Sequence, residues 1–370
     1  MKQDSTAPCP APATASATAA AATRAADAAR HDLWRSAPTD AHTAIPASLL
    51  PRGHRHRGGL RWHRDGDCWR ARVEIGTLER GDLCVPSLVP GDIDVRGYAM
   101  WFAWPDDGRL ALAPICSDAA LADHWPAATM SDARSHHGAL RGGLDCVECI
   151  EAVTGLTLEI EAVTSGPERS DPGEPPDADL LIGIRPRHAR WRDRGGEAPE
   201  LPVSALSQLE CSADIARHVC SPISVAMVLD RLGLAVDPEP FARTAQHPQH
   251  AMLFGMWPLN LARARQAGAA GLVRVFTDAD EAAELLRAGH ALVVSIRFEA
   301  GALPGAPLPR TGGHLVVLRG MGPDRVLVND PAADAAGSVS RHYDRAAFLT
   351  AWLADRGVGY VLWRRAAARS

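Results

Sequence analysis

The sequence predicts an α+β protein in which a β-rich unit precedes a unit of alternating helices and strands. Three observations predict it. Residues 59–190 hold short apolar runs punctuated by turn signals. From Leu201 onward, helical and strand periodicities alternate. Between them lies a polar, Arg-rich run from Pro186 to Glu200. The chain has 370 residues, enough for two or three domains. Apolar residues make up 46% and charged residues 22%, which fits packed cores and excludes wholesale disorder. No run of about 18 consecutive apolar residues occurs, so no membrane-spanning helix is expected.

Residues 1–58 are rich in Ala, Thr, Pro and Arg and poor in large apolar side chains, so they are expected to be disordered. Within them, Arg52-Gly53-His54-Arg55-His56-Arg57 is basic, but the net charge of −5 makes a solvated segment the better reading. The same charge argues against a nucleic-acid partner, which needs a basic surface to release counterions. Lys2 is the one lysine among 39 basic residues, a compositional bias rather than chemistry. The N-terminus has no apolar h-region and carries Asp4, so no secretory signal is expected and a cytoplasmic location is favoured.

The β-rich unit, residues 59–190, is read as sandwich-like. Trp69 to Ile75 alternates apolar and polar, as a half-buried strand does. Asp94–Trp104, Leu110–Ile115, Leu156–Val163 and Leu180–Arg185 are further strands. Val89-Pro90-Gly91-Asp92, Pro105-Asp106-Asp107-Gly108 and Ser165-Gly166-Pro167 are turn signals between them. This unit holds no catalytic constellation. Residues 191–200 are expected to be a linker, and 201–366 the second domain.

The eight cysteines are irregularly spaced and make no disulfide framework. Cys146-x-x-Cys149 has no second pair to complete a zinc site. His136-His137 and His247-Pro248-Gln249-His250 lack companions at ligand spacing and are read as surface loops. No metal and no cofactor is expected. There is no G-x-S-x-G, H-E-x-x-H or Walker loop, which demotes serine hydrolases, zinc peptidases and nucleotide-dependent enzymes.

Chemistry concentrates in the second unit. Val225, Val228, Leu229 and Leu232 recur at helical spacing after Cys220-Ser221-Pro222. Pro222 suits the first turn, and Gly233 suits the stop. Cys220 therefore opens an amphipathic helix, where unsatisfied N–H groups and the macrodipole favour a thiolate. The alternative is a buried structural thiol. Gly313 to Arg319 and Arg325 to Pro331 read as two strands around a turn. A three-residue loop at 321–323 would set His314 opposite Asp330, or within one residue of register, at a spacing that suits an imidazole–carboxylate hydrogen bond. Cys, His and Asp together are what nucleophilic acyl transfer needs. Gln208, twelve residues before Cys220, could supply an oxyanion donor. Among rivals, Asn329 falls on the opposite strand face from Asp330, no helix starts cleanly at Cys211, and His218 has no apparent carboxylate partner.

These residues carry a resemblance. The C-terminal region resembles the stand-alone C39-like cysteine peptidases of the papain-like superfamily. The matching pieces are Pro202-Val203 through Ser207-Gln208, Cys220 through Leu229, and Gly255-Met256-Trp257-Pro258-Leu259-Asn260. Gly312-Gly313-His314-Leu315-Val316-Val317-Leu318 and Val328-Asn329-Asp330-Pro331 follow, and Arg341, Tyr343, Phe348 and Trp352 continue the pattern. The resemblance implies a papain-like fold over roughly residues 200–363 and a peptide or protein substrate. It implies Cys220 as nucleophile, His314 as general base, Asp330 as its orienting acid and Gln208 as the oxyanion residue. Val219 stands where related sequences often carry Trp or another bulky residue. The chain lacks the ATP-binding motif and spans of bacteriocin exporters. An acyltransferase or amidase with the same chemistry, and a catalytically silent peptide-binding module, are the alternatives.

Overall fold

The computed structural model describes residues 45–365, except 52–54, 58, 92–94, 106–107, 117–124, 126–135, 144, 165–173 and 249. Of residues 55–57, 136 and 137 it describes the backbone alone. Most of the stretch expected to be disordered therefore lies outside the described residues. At its end, Ile45 and Leu49 are buried in the core of the C-terminal half. The Ile45 amide donates to Asp179 Oδ2 at 3.1 Å.

Among the described residues, the N-terminal half is built of strands apart from a 3-10 turn at Ala47–Leu49. In chain order these are β1 Arg55–Arg57, β2 His63–Asp65, β3 Cys68–Leu78, β4 Leu83–Pro90, β5 Val95–Trp104 and β6 Gly108–Ala111. β7 Ile115–Cys116, β8 His136–His137, β9 Leu140–Gly142, β10 Val147–Cys149, β11 Val153–Thr164 and β12 Ala178–Arg185 follow. One sheet runs β1-β12-β4-β10-β9-β8 and the other β2-β3-β11-β5-β6, with β7 also on β5. β3 shows why: Ala71, Val73 and Ile75 are buried while Glu74 is exposed, the period-2 alternation of a one-faced strand. These residues join Cys84, Leu88, Leu180 and Ile182 of the other sheet in one apolar cluster.

β4 and β12 behave differently. Val85, Val89 and Leu181, which alternate with those inward residues, pack into the core of the C-terminal half. The sheet that contains them is thus covered on both faces, and its strands read as continuous apolar runs. β4 was not anticipated from the sequence for this reason, and because Pro86 argues against a central strand. β10 meets β4 at Leu83 and Cys84, so among the described residues Pro86 is paired with β12 alone.

The C-terminal half comprises α1 Cys220–Arg231, α2 Pro238–Thr244, α3 Trp257–Gln266, β13 Ala269–Val275, α4 Ala279–Arg287 and β14 Leu292–Phe298. β15 Thr311–Met321, β16 Arg325–Asn329, α5 Ala336–Val339, β17 Ser340–Asp344, α6 Arg345–Leu353 and β18 Val358–Arg364 complete it. The sheet order is β13-β18-β14-β15-β16-β17, antiparallel throughout. Local chemistry sets the helix ends. Gly233, at φ +70°, follows the α1 C-cap, a conformation glycine adopts without penalty. Asp278 and Asp344 cap α4 and α6 with their carboxylates. The buried face of α1 (Ile223, Met227, Val228) packs on β14 and β15.

Residues 191–200, expected to be a linker, lie pinned to the C-terminal half. Ala198 and Met321 exchange backbone hydrogen bonds of 2.8 and 3.1 Å. Arg345 grips both oxygens of Asp193 at 2.9 and 2.6 Å. Further ties cross between the halves. Asp145 accepts the Trp257 N–H at the start of α3 (3.1 Å), Ser87 Oγ accepts from the Val273 amide (3.0 Å), and Arg263 donates to the Cys116 carbonyl (3.1 Å). Among the described residues no helix is long and apolar enough to cross a membrane.

Candidate active site

Cys220 is the first residue of α1 and is partly exposed, while Ser221 and Pro222 behind it are buried. The helix is locked against β15 by the Ser224 hydroxyl, which donates to the Leu315 carbonyl at 3.1 Å. The Ser221 and Tyr360 hydroxyls share a buried hydrogen bond of 3.0 Å. These contacts hold the nucleophile end of α1 beside the start of β15, where His314 sits.

His314 Nε2 lies 2.7 Å from Asp330 Oδ1, with both side chains buried. Cys220 lies near enough to His314 for each to shift the other's titration. Asp330 is held on both oxygens. The Ala332 amide donates to Oδ1 at 3.0 Å, and the Tyr343 hydroxyl donates to Oδ2 at 2.7 Å. Tyr343 reaches it from β17 as that strand's one buried residue.

The expected hairpin register is not the one observed. Met321 pairs with Val326 and Val317 with Asn329, rather than with Leu327. The turn sits later than 321–323, and an irregularity at Arg319 shifts the pairing again. His314 and Asp330 are therefore not a directly opposed pair. Pairing ends at Asn329, and Asp330 meets His314 along the diagonal, a distance that longer side chains still bridge. Asn329 faces away, as strand alternation requires. It donates to the Val203 and Ser204 carbonyls at 3.1 Å each and accepts from Ser340 Oγ at 2.9 Å.

Charge follows from these contacts. Burial disfavours the Cys220 thiolate, but the hydrogen bond and positive charge of His314, with the Leu315 backbone N–H, outweigh it and hold the thiol below its ordinary range. Burial likewise opposes the imidazolium, yet the Asp330 carboxylate raises His314 well above the usual histidine value. Asp330 is held low, against burial, by the same pairing and by Tyr343. The arrangement favours a thiolate–imidazolium pair with a fixed carboxylate behind it, suited to attack on a carbonyl.

Gln208 is buried in a short 3-10 turn, Gln208–Glu210, capped by Ser207. Its backbone N–H donates to the Pro331 carbonyl at 2.8 Å, next to Asp330. Its side-chain amide donates to the Ala216 carbonyl at 2.8 Å, in the segment that leads to Cys220, while Oε1 has no hydrogen-bond partner.

The rival groups are elsewhere. His218 is exposed, and Cys211 is buried away from any helix start. Cys146 and Cys149 are buried free thiols raised by burial, Cys146 to about 12 and Cys149 to about 11. His247, expected on a surface loop, is instead buried against His250 and lowered to about 4 by desolvation. Asn260 is a loop staple, donating to the Phe254 and Met256 carbonyls. Among the described residues no group of three His, Cys, Asp or Glu side chains forms a metal cluster. Sequence reasoning named Tyr343 only as part of the resemblance and gave it no role, because its partner Asp330 lies across elements where no local pattern reveals it. Tyr343→Phe is expected to cost about 1.5–3 kcal/mol, the usual worth of a hydrogen bond to a charged group, measured by denaturant unfolding.

The comparisons agree with this half of the chain. A family model described as Peptidase_C39 like family matches residues 200–360. Among solved structures, a C39-like peptidase from Bacillus anthracis matches with 15% identity and a TM-score of 0.36, over 46% of this chain and 99% of that one. A structure of infectious bursal disease virus, Gx strain, matches with 14% identity and a TM-score of 0.17, over 39% of this chain and 37% of that one. No curated protein matches the chain.

Proposed function

Since residues 200–360 belong to the C39-like peptidase family, we propose that the protein is a cysteine peptidase acting on peptide bonds through Cys220. The observation that carries this reading is the buried His314–Asp330 hydrogen bond of 2.7 Å, set beside a cysteine that opens a helix and whose thiol His314 holds low. In the proposed reaction the Cys220 thiolate attacks the scissile carbonyl carbon. The first-turn N–H groups of α1, which have no intrahelical acceptor, and the second amide hydrogen of Gln208 receive the developing oxyanion. The His314 imidazolium passes its proton to the leaving amine, and a thioester remains on Cys220. His314 then takes a proton from water, and the hydroxide releases the acid and regenerates the thiol. Asp330 fixes the imidazole tautomer and supports its positive charge.

Gly312 and Gly313, exposed at the start of β15 with open space around them, leave room for a peptide backbone next to His314. We read the C-terminal half as papain-like, and the two N-terminal sheets that share one apolar cluster as a sandwich-like accessory unit. Labelling by a peptidyl electrophile tests the reading. Wild type is expected to label at Cys220, and Cys220→Ala not at all. Equal labelling of Cys220→Ala, or an inert wild-type thiol, would overturn it. Products formed in 18O water separate hydrolysis, which incorporates one label, from transfer to an amine, which incorporates none.

A further inference from the structure

We propose a phosphate-class anion site in the cleft between the two halves, whose wall does not include Cys220. The cleft encloses about 260 Å³. Its wall carries five arginines, Arg141, Arg185, Arg187, Arg297 and Arg356, against two acids, Glu148 and Asp355. The acids do not cancel the arginines. Glu148 pairs with Arg141, and Asp355 is shared by Arg297 at 3.2 Å and Arg356 at 3.9 Å. The cleft thus keeps a formal charge of +3 in a chain whose net charge is −5. Cys146, also in the wall, is kept neutral by burial and adds no negative charge.

Arg185 marks the site as built for a ligand. It ends β12, its side chain is more than nine-tenths buried, and one guanidinium nitrogen donates to the Ala354 carbonyl at 3.1 Å. The other terminal nitrogen is buried with no hydrogen-bond partner. Burial disfavours its charge, and the Asp355 carboxylate favours it. Arg187 forms no salt bridge among the described residues, and its side chain is laid against Gly81, where a Cβ would collide with it. That packing holds the guanidinium at the cleft wall. Planar guanidinium forks match the paired oxygens of a phosphate, and three net positive charges favour a dianion over a single carboxylate. Arg141 and Arg185 come from the N-terminal half and Arg297 and Arg356 from the C-terminal half, so a bound dianion would bridge the two.

Isothermal titration of the full-length chain tests this, with inorganic phosphate and glycerol 3-phosphate as the probes and chloride at matched ionic strength as the control. Phosphate-specific binding is expected in wild type. It should weaken at least tenfold in the Arg187→Ala/Arg356→Ala double variant. It should tighten in Asp355→Asn, which removes a competing acid and cannot do so by unfolding the protein. Tighter binding of the ester than of the free ion would assign the site to a phosphomonoester, and the reverse to phosphate itself. No heat beyond the chloride control, or equal affinity in all three proteins, would overturn the proposal. Cys220 plays no part in this assay, so the outcome is independent of the peptidase reading.

Discussion

His314→Ala is expected to lower alkylation of Cys220 at pH 6 by about 10²–10³-fold. The argument is one of protonation. A free thiol near pKa 8.5 is about 0.3% ionised at pH 6, whereas a paired thiolate is nearly all ionised. In wild type the Cys220 pKa is lowered and the His314 pKa raised, so the reactive pair spans the interval between them. The rate should therefore be flat through neutrality and fall only in acid, as the thiolate is protonated. Without the imidazole, burial of Cys220 remains and its main counter-charge is gone. The rate should then climb about tenfold per pH unit until the ordinary thiol range is passed. Hydrolysis should fall further, because the proton donor for the leaving amine is lost as well. Iodoacetamide kinetics from pH 5 to 9 measure both profiles. Coincident profiles would show that His314 does not activate the thiol.

A chain beginning at Leu201 is expected to lose cooperative folding. Ile45, Leu49, Val85, Val89 and Leu181 belong to the same core cluster as α1 and the C-terminal sheet. At about 1.5–3 kcal/mol per buried aliphatic side chain, losing five removes roughly 8–15 kcal/mol. That is comparable to the whole stability of a typical domain, about 5–15 kcal/mol. The truncation also strips the Asp145 carboxylate from the start of α3 and the Ser87 hydroxyl from the Val273 amide. Thermal unfolding monitored by near-UV circular dichroism checks this. A sharp transition in the truncated chain, with Cys220 labelled as in full length, would show that the C-terminal half stands alone.

Much of the candidate site was legible because its signals are local. A cysteine before Ser-Pro and an apolar helical stripe specify a helix N-terminus whatever surrounds it. Strand alternation separated Asp330 from Asn329 correctly. The register did not follow, because it depends on where the turn closes and on the irregularity at Arg319, neither of which has a composition signal. Tyr343 and the Ala332 amide complete the setting of Asp330 across elements. In the N-terminal half, β3 was visible as a one-faced strand and β5 as an apolar run between turn signals, whereas β4 was not. Its apolar run serves two cores at once, and periodicity registers only one. The polar run before Leu201 looked like a tether because charge dominates it. Asp193 and Ala198 instead find partners far along the chain, at Arg345 and Met321.

The doubly covered β12–β4 sheet has a consequence for synthesis. The ribosome delivers the N-terminal half first, so the β12–β4 sheet emerges with the face of Cys84, Leu88, Leu180 and Ile182 covered by the second sheet and the face of Val85, Val89 and Leu181 bare. Their cover, from α1 to β18, comes more than thirty residues after β12 ends. At about 5–20 residues per second, an apolar face stays open for several seconds or more. That interval selects for slow self-association of the nascent half or for a holding factor. It also sets a direction to folding: the strands form a template, and the C-terminal half condenses upon it.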